Sequence, residues 1–200
     1  MRPRTAPKSL YIFYIYHDCA KPMSKLVVVT GTSGCGKSTL IRRILNHENV
    51  SLSVSHTTRE KRAGENNHID YHFITKDEFM KMDRSNEFYE TTFYDNHYYG
   101  TAKSELNKNE YVIIDCDRIG AAKFNEFNNV KIFFYNTKDV LYERLMKRYN
   151  NKEKAERRLQ SYEIDMKTYR EGNYKHSIFT DDLERNVKEL ETIIFGSNNI

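Results

Sequence analysis

Residues 27–39, Val-Val-Val-Thr-Gly-Thr-Ser-Gly-Cys-Gly-Lys-Ser-Thr, constrain this chain more than any other segment. The apolar β-branched run reads as a buried parallel strand ending at Thr30, and it feeds directly into the pattern G-x-x-x-x-G-K-S. Gly31, Gly34 and Gly36 let backbone N–H groups converge on polyphosphate oxygens, and a helix beginning near Lys37 points its positive end at the same anion. Lys37 adds a mobile cation for the β and γ phosphates, and Ser38 offers a hydroxyl to Mg²⁺. With Thr32, Ser33, Cys35 and Thr39, residues 31–39 form a candidate phosphate cradle.

Two hundred residues with 38% hydrophobic content can bury one sizeable core, so one domain with small mobile insertions is expected. A formal net charge of +4, with dispersed basic residues, suits an anionic small ligand and falls short of a nucleic-acid footprint. Cys19, Cys35 and Cys116 show neither disulfide nor metal spacing, which fits a reducing, cytoplasmic setting. No apolar run approaches the ~18 residues of a membrane span. Arg2, Arg4 and Lys8 before the run Leu10 to Tyr16 weakly imitate a signal peptide, but the run is short and mostly aromatic and the residues after it make a poor cleavage site. Residues 1–22 are therefore expected to be an extension, with the functional unit spanning 23–200.

Strands and helices should alternate along that unit, which implies a parallel sheet flanked by helices. Leu40, Ile41, Ile44 and Leu45 give the first helix a buried face. Period-two alternation between Ser51 and Phe73 predicts two strands joined by the polar loop Thr57 to His68. Thr75 and Glu78 form a capping box for a helix to about Arg84, and Asp95-Asn96 interrupts an aromatic hairpin over Glu87 to Gly100. Two more buried strands are expected at 111–115 and 131–135, then a helix over 139–149 and one long charged helix over 153–170. A strand at 177–180 and a final helix capped by Asp181 and Glu184, with Leu183 inside, complete the pattern.

In the segment Ser55 to Glu65, Arg59 and Arg62 stand three apart in a loop, close to a strand carrying Tyr71. Guanidinium groups at that spacing can grip one phosphate from two sides, and a tyrosine hydroxyl can complete the shell. Together with residues 31–39, Asp70-Tyr71, Asn86-Glu87-Phe88, Tyr98-Tyr99-Gly100 and Asp115-Cys116-Asp117, this segment resembles guanylate kinase, in order from about Ser24 to Phe195. The family patterns G-P-S-G-x-G-K-S-T, S-x-S-x-T-T-R-x-x-R-x-G-E, D-Y-x-F, N-E-F-x-E, Y-Y-G-[ST] and D-x-D recur, with Thr32 in place of the proline. The Lys-, Asn-, Ile- and Tyr-rich composition is also similar to poxvirus homologues of the family.

The resemblance implies an α/β P-loop nucleoside monophosphate kinase that passes a phosphoryl group from ATP to GMP with Mg²⁺, as a monomer or weak dimer. It assigns the GMP phosphate to Arg59, Arg62, Tyr71 and Tyr99, and the guanine to Ser55, Glu90 and Thr101. The chemistry agrees, because guanine presents N1–H and an exocyclic amine, two donors that one carboxylate can accept together. Asp115 and Asp117, at the carboxyl edge of the sheet, would serve Mg²⁺, directly or through water, or orient GMP. Residues 55–106 would close over GMP, and a lid over 144–165 would bring Arg144, Arg148 and Arg158 to the phosphates. Lys37, Arg59, Arg148 and Arg158 would then carry catalysis, Arg144 would serve ATP, and Cys35 would be a small filler.

Two departures from the family pattern stand out. The lid loop Tyr149 to Lys154 lacks the usual glycine and threonine, and Thr180 replaces an asparagine near the adenine. The alternative reading is a catalytically weak or silent homologue serving as a nucleotide-binding or interaction module. An intact cradle with Lys37, Ser38, Arg59 and Arg62 argues against the silent form.

Overall fold

The computed structural model describes residues 24–62, 64–124, 129–172 and 174–196, so the expectations for residues 1–22 lie outside it. Strand β1 (Lys25–Gly31) is the centre of a parallel five-stranded sheet. It pairs on one side with β7 (Tyr111–Asp115), which pairs in turn with β2 (Val50–Leu52). On the other side lies β8 (Asn129–Tyr135), followed by β9 (His176–Phe179). The pleat of β1 sends Val27 and Val29 to one face and Val28 to the other. The first face packs on α1 (Lys37–Ile44), α4 (Lys138–Tyr149) and α7 (Leu183–Phe195) through Leu40, Ile44, Leu141, Leu145 and Leu190. The second face meets Ala121 of α3 (Arg118–Lys123) and Phe124. Both faces are thus covered, as unbroken apolar strands require.

A smaller sheet holds β4 (His72–Phe73), β3 (His56–Thr57), β6 (His97–Ala102) and β5 (Phe88–Tyr94) in that order. Its own core is Phe79 of α2 (Lys76–Arg84) packed on Phe88 and Ala102. The capping box of α2 forms as read, with Thr75 Oγ1 accepting from Glu78 N at 3.2 Å and Glu78 Oε2 accepting from Thr75 N at 2.8 Å. Asp95 and Asn96 both take positive φ (49° and 63°), which gives the hairpin the twist its two strands need.

Three expectations need correction. The alternating stretch 51–73 contains three short strands in two sheets. β2 belongs to the parallel sheet, and the chain then crosses to the smaller sheet at Ser53 to Ser55. Ile69, read as a strand position, is 65% exposed in a turn. The charged stretch 153–170 is broken into α5 (Lys152–Leu159) and α6 (Tyr162–Glu171). At the break, Gln160 and Ser161 keep right-handed helical backbone angles, and the Ser161 hydroxyl donates to Asp165 Oδ2 at 2.9 Å. Finally, α7 is capped by Asp182, which accepts from Arg185 N at 2.8 Å. Glu184 is instead held by the Arg43 guanidinium at 2.7 and 2.9 Å, and Leu183, on the first turn, is exposed.

Candidate active site

The carboxyl ends of β1, β7 and β8 bring the chemistry-bearing loops to one edge of the sheet, where open parallel sheets bind ligands. Beyond β1 the chain turns tightly. A Cβ on Gly31 would lie 2.1 Å from the Phe134 carbonyl oxygen, so no larger residue fits there. Gly36, at φ 92°, caps α1 in the left-handed region, and no side chain occupies the cap. Thr39 N donates to the Gly36 carbonyl at 3.0 Å, and with no capping side chain the positive end of α1 is open to an anion. Lys37 Nζ forms a close ion pair with Asp115 Oδ1 at the end of β7. Burial opposes its charge, but Asp115 more than compensates and its pKa is raised. Ser38 lies exposed on the same turn. Burial pushes the Cys35 thiol up, which suits an inert filler.

Across from the loop, Arg59 is fixed by Glu65 Oε1 at 2.8 Å and by the Glu60 carbonyl at 2.6 Å. Its guanidinium lies 5.4 Å from the Tyr71 ring centroid and 5.5 Å from that of Phe73. Tyr71 and Tyr99 meet edge to face at 6.1 Å. Burial, reinforced by the Asp115 charge, pushes the Tyr71 hydroxyl up to about 12, so it remains a proton donor at neutral pH. Arg59, Tyr71 and Tyr99 thus form one group facing Lys37 and Asp115. The Arg62 side chain is exposed, and its backbone N–H donates to Glu65 Oε2 at 2.8 Å.

Glu90 on β5 is 6% exposed. Its Oε1 accepts from the Thr101 hydroxyl at 2.8 Å, while its buried Oε2 has no hydrogen-bond partner among the described residues. Burial raises its pKa despite the Thr101 hydrogen bond. Asp117 spends Oδ1 on the first N–H groups of α3, at 2.8 Å from both Ile119 N and Gly120 N, and turns Oδ2 towards the Thr92 hydroxyl at 3.4 Å. Ser55 is half-buried, its carbonyl accepting from His72 N at 2.9 Å.

The three arginines expected in a lid are placed differently. Arg158 Nε donates to Ser33 Oγ in the phosphate loop at 3.1 Å. Arg144 donates to the Cys35 carbonyl at 3.2 Å and to the Thr180 carbonyl at 2.8 Å. It lines a pocket with Gly36, Thr39, Leu40, Thr180 and Asn186. Arg148 is not brought to the loop: it is exposed, and its guanidinium lies 5.5 Å from the Tyr149 ring centroid. Arg157 reaches Asp95 of the β5–β6 turn at 3.6 Å.

Sequence reasoning missed four residues around the site. Lys123 lies close to Glu90 and donates to the Thr91 carbonyl. Glu105 accepts from Val54 N at 2.6 Å and so ties together both crossings between the two sheets. Arg118 and Asp165 form an ion pair at 3.2 Å between α3 and α6. The one visible signal was Arg118, a cation directly after the D-x-D segment. Among the described residues no group of three His, Cys, Asp or Glu could cage a metal ion, and no helix is long and apolar enough to cross a membrane.

A protein-family model for guanylate kinase matches residues 23–197. The chain is 34% identical over 182 residues to a guanylate kinase of Mycoplasmoides gallisepticum, covering 86% of this chain and 93% of the relative. It is 36% identical over 180 residues to a guanylate kinase of Schizosaccharomyces pombe, covering 84% and 89%. In fold it is similar to the crystal structure of guanylate kinase from Anaplasma phagocytophilum, with a TM-score of 0.69 and 24% identity over 90% of this chain and 89% of that one.

Proposed function

Because this chain belongs to the guanylate kinase family, we propose that it transfers the terminal phosphoryl group of ATP to GMP, giving ADP and GDP. The observation that carries this reading is the buried, unpartnered Oε2 of Glu90, held beside Thr101 in a site that also contains a phosphate loop. An orphaned buried acceptor is costly, and a ligand with two adjacent donors, such as guanine, relieves it. Adenine presents an acceptor at N1 and leaves the carboxylate unsatisfied.

In this reading Ser55, Glu90, Thr101 and Asp117 hold the base, while Arg59, Arg62, Tyr71 and Tyr99 hold the GMP phosphate. The loop 31–39 holds the ATP phosphates, and the pocket beside Arg144 takes the adenine. The oxygen donors of Ser38 and Asp115 suit Mg²⁺, a hard cation that prefers carboxylate, hydroxyl, water and phosphate oxygens. When bound with ATP, the ion neutralises charge on the β and γ phosphates. Lys37 exchanges Asp115 for the phosphates, and Arg158 moves from Ser33 Oγ onto the transferring group, with Arg148 joining as the lid closes. No covalent nucleophile is needed, because in-line positioning and fixed positive charge account for the catalysis.

The enzyme acts as a cytoplasmic monomer or weak dimer without a nucleic-acid or membrane partner, and residues 1–22 lie outside its catalytic unit. The likeness to viral members rests on composition alone. A coupled ADP-release assay with GMP, dGMP, AMP and UMP tests the proposal. Turnover confined to guanine nucleotides is expected, and absence of turnover with GMP would leave the silent-module reading standing.

A further inference from the structure

The Asp165 carboxylate on α6 is buried and paired with an arginine from α3, with a second arginine, on α5, near enough to act on its charge. Arg118, the first residue of α3, donates from Nη1 to Oδ1 at 3.2 Å, and the Ser161 hydroxyl donates to Oδ2 at 2.9 Å. On the side of α5, Arg158 lies close enough for its charge to favour ionised Asp165, while its own Nε rests on Ser33 Oγ at 3.1 Å. Burial pushes the Asp165 carboxyl up, and Ser161, Arg118 and Arg158 draw it back down. Tyr174, ahead of β9, also faces it, its hydroxyl pushed up to about 12 chiefly by burial. One buried anion is thus shared between a cation committed to the GMP side of the molecule and a cation committed to the phosphate loop.

We propose that Arg118 is a positioning residue for phosphoryl transfer: by occupying Asp165 it keeps Arg158 turned towards the phosphate loop. A buried carboxylate does not stay unpaired, so without Arg118 the nearest remaining cation is drawn onto it. That cation is Arg158, and a guanidinium folded back onto α6 no longer reaches the transferring group. Arg118 directly follows Asp117, whose side chain caps the same helix, so the pair also links the base-binding end of the site to the lid. This inference rests on the reading that Arg158 acts on the phosphoryl group.

The test uses the full-length chain. Arg118→Met keeps the length of the side chain without its charge. It should lower kcat about tenfold or more while KM for ATP and GMP changes far less, since a misplacement of about 1 Å can cost a hundredfold. Arg118→Lys should retain most of kcat. In Arg118→Met/Asp165→Asn the amide no longer draws Arg158, so kcat should return towards wild type. Wild-type kcat in Arg118→Met overturns the proposal, as does a double variant no faster than Arg118→Met, which would mean that Arg118 merely holds α3 against α6. Should Arg118→Met fail to fold, the comparison becomes the double variant against Asp165→Asn alone. Equal kcat is then expected, and a tenfold deficit in the double variant overturns the proposal. Arg158→Met separates the two claims. If it turns over like wild type, the underlying role of Arg158 falls. If it is impaired while Arg118→Met is normal, the positioning role alone falls.

Discussion

Glu90→Gln should impair guanine recognition and stabilise the protein at the same time. The amide keeps its oxygen towards the Thr101 hydroxyl, which donates to Oε1 at 2.8 Å in the parent chain. Its NH₂ group then occupies the position of Oε2, the buried atom without a partner. Facing guanine, that NH₂ opposes another donor, so a charge-assisted hydrogen bond is lost and a clash of donors takes its place. Hydrogen bonds to charged groups are worth about 1.5–3 kcal/mol, which corresponds to a loss of roughly ten- to a hundredfold in kcat/KM for GMP. AMP, whose N1 is an acceptor, does not suffer the same penalty. The stability effect has the opposite sign. Because burial raises the Glu90 pKa above its ordinary value of 4.5, the folded state holds the proton more tightly than the unfolded state. Stability is therefore lost as pH rises from that ordinary value through the folded pKa, so the penalty is larger at neutral pH than at pH 4.5. Glutamine does not titrate, so the variant should melt higher than wild type at pH 7.5, with the advantage shrinking towards pH 4.5. The coupled assay with GMP and AMP, together with melting curves at the two pH values, measures both effects. If the GMP-over-AMP preference stays within about threefold of wild type, a change below ~1 kcal/mol, Glu90 does not read the base.

Lys37→Met should abolish turnover. Its ion pair with Asp115 is partly exposed and worth about 1 kcal/mol, so Tm should fall by only about 2–4 °C, and wild-type-like turnover would sink the phosphate-loop assignment. Asn151→Ala removes the side-chain oxygen that accepts from Lys154 N at 2.8 Å, and should cost about 1 kcal/mol, with Asn151→Ser restoring it; equal melting of all three proteins would show that this cap does not order the lid. A chain beginning at Met23, where the family match starts and two residues before β1, should fold and turn over like the full-length protein; insolubility or inactivity would place residues 1–22 within the fold.

What could be read from the sequence was what local chemistry decides. β1 and its loop were legible because four β-branched residues, Val27 to Thr30, lead into closely spaced glycines, and α2 because Thr75 and Glu78 satisfy each other's backbone groups. Arg59 and Tyr71 could be grouped from the spacing of the loop and its neighbouring strand, whereas Tyr99 joined them only through the family patterns. The 51–73 region failed because period two reports alternation, not membership: β2 and β3 alternate alike, yet one pairs with β7 and the other with β6. The break at residues 160–161 was hidden because serine is tolerated within a helix and both residues keep right-handed helical backbone angles. The Arg118–Asp165 pair, 47 positions apart in the chain, has no local signature at all.

The two departures from the family pattern look different once their backbone roles are considered. α4 ends at Asn150, which takes φ 46° and ψ 35° and donates its N–H to the Met146 carbonyl at 2.8 Å. That left-handed cap is the task for which glycine is usually chosen, and asparagine is among the few other residues that adopt it readily. Asn151 then caps α5 with its side-chain oxygen, the task a threonine would perform. Two adjacent asparagines thus end one helix and start the next, and the corner they make places Arg158 on Ser33 of the phosphate loop. Thr180 is likewise built in: its hydroxyl donates to the Tyr135 carbonyl at 3.1 Å, and its own carbonyl accepts from both Arg144 and Asn136. At both departures the backbone is held by specific hydrogen bonds and an arginine is anchored nearby. Since transfer in this reading depends on where positive charge stands, the altered lid is no argument for a silent homologue.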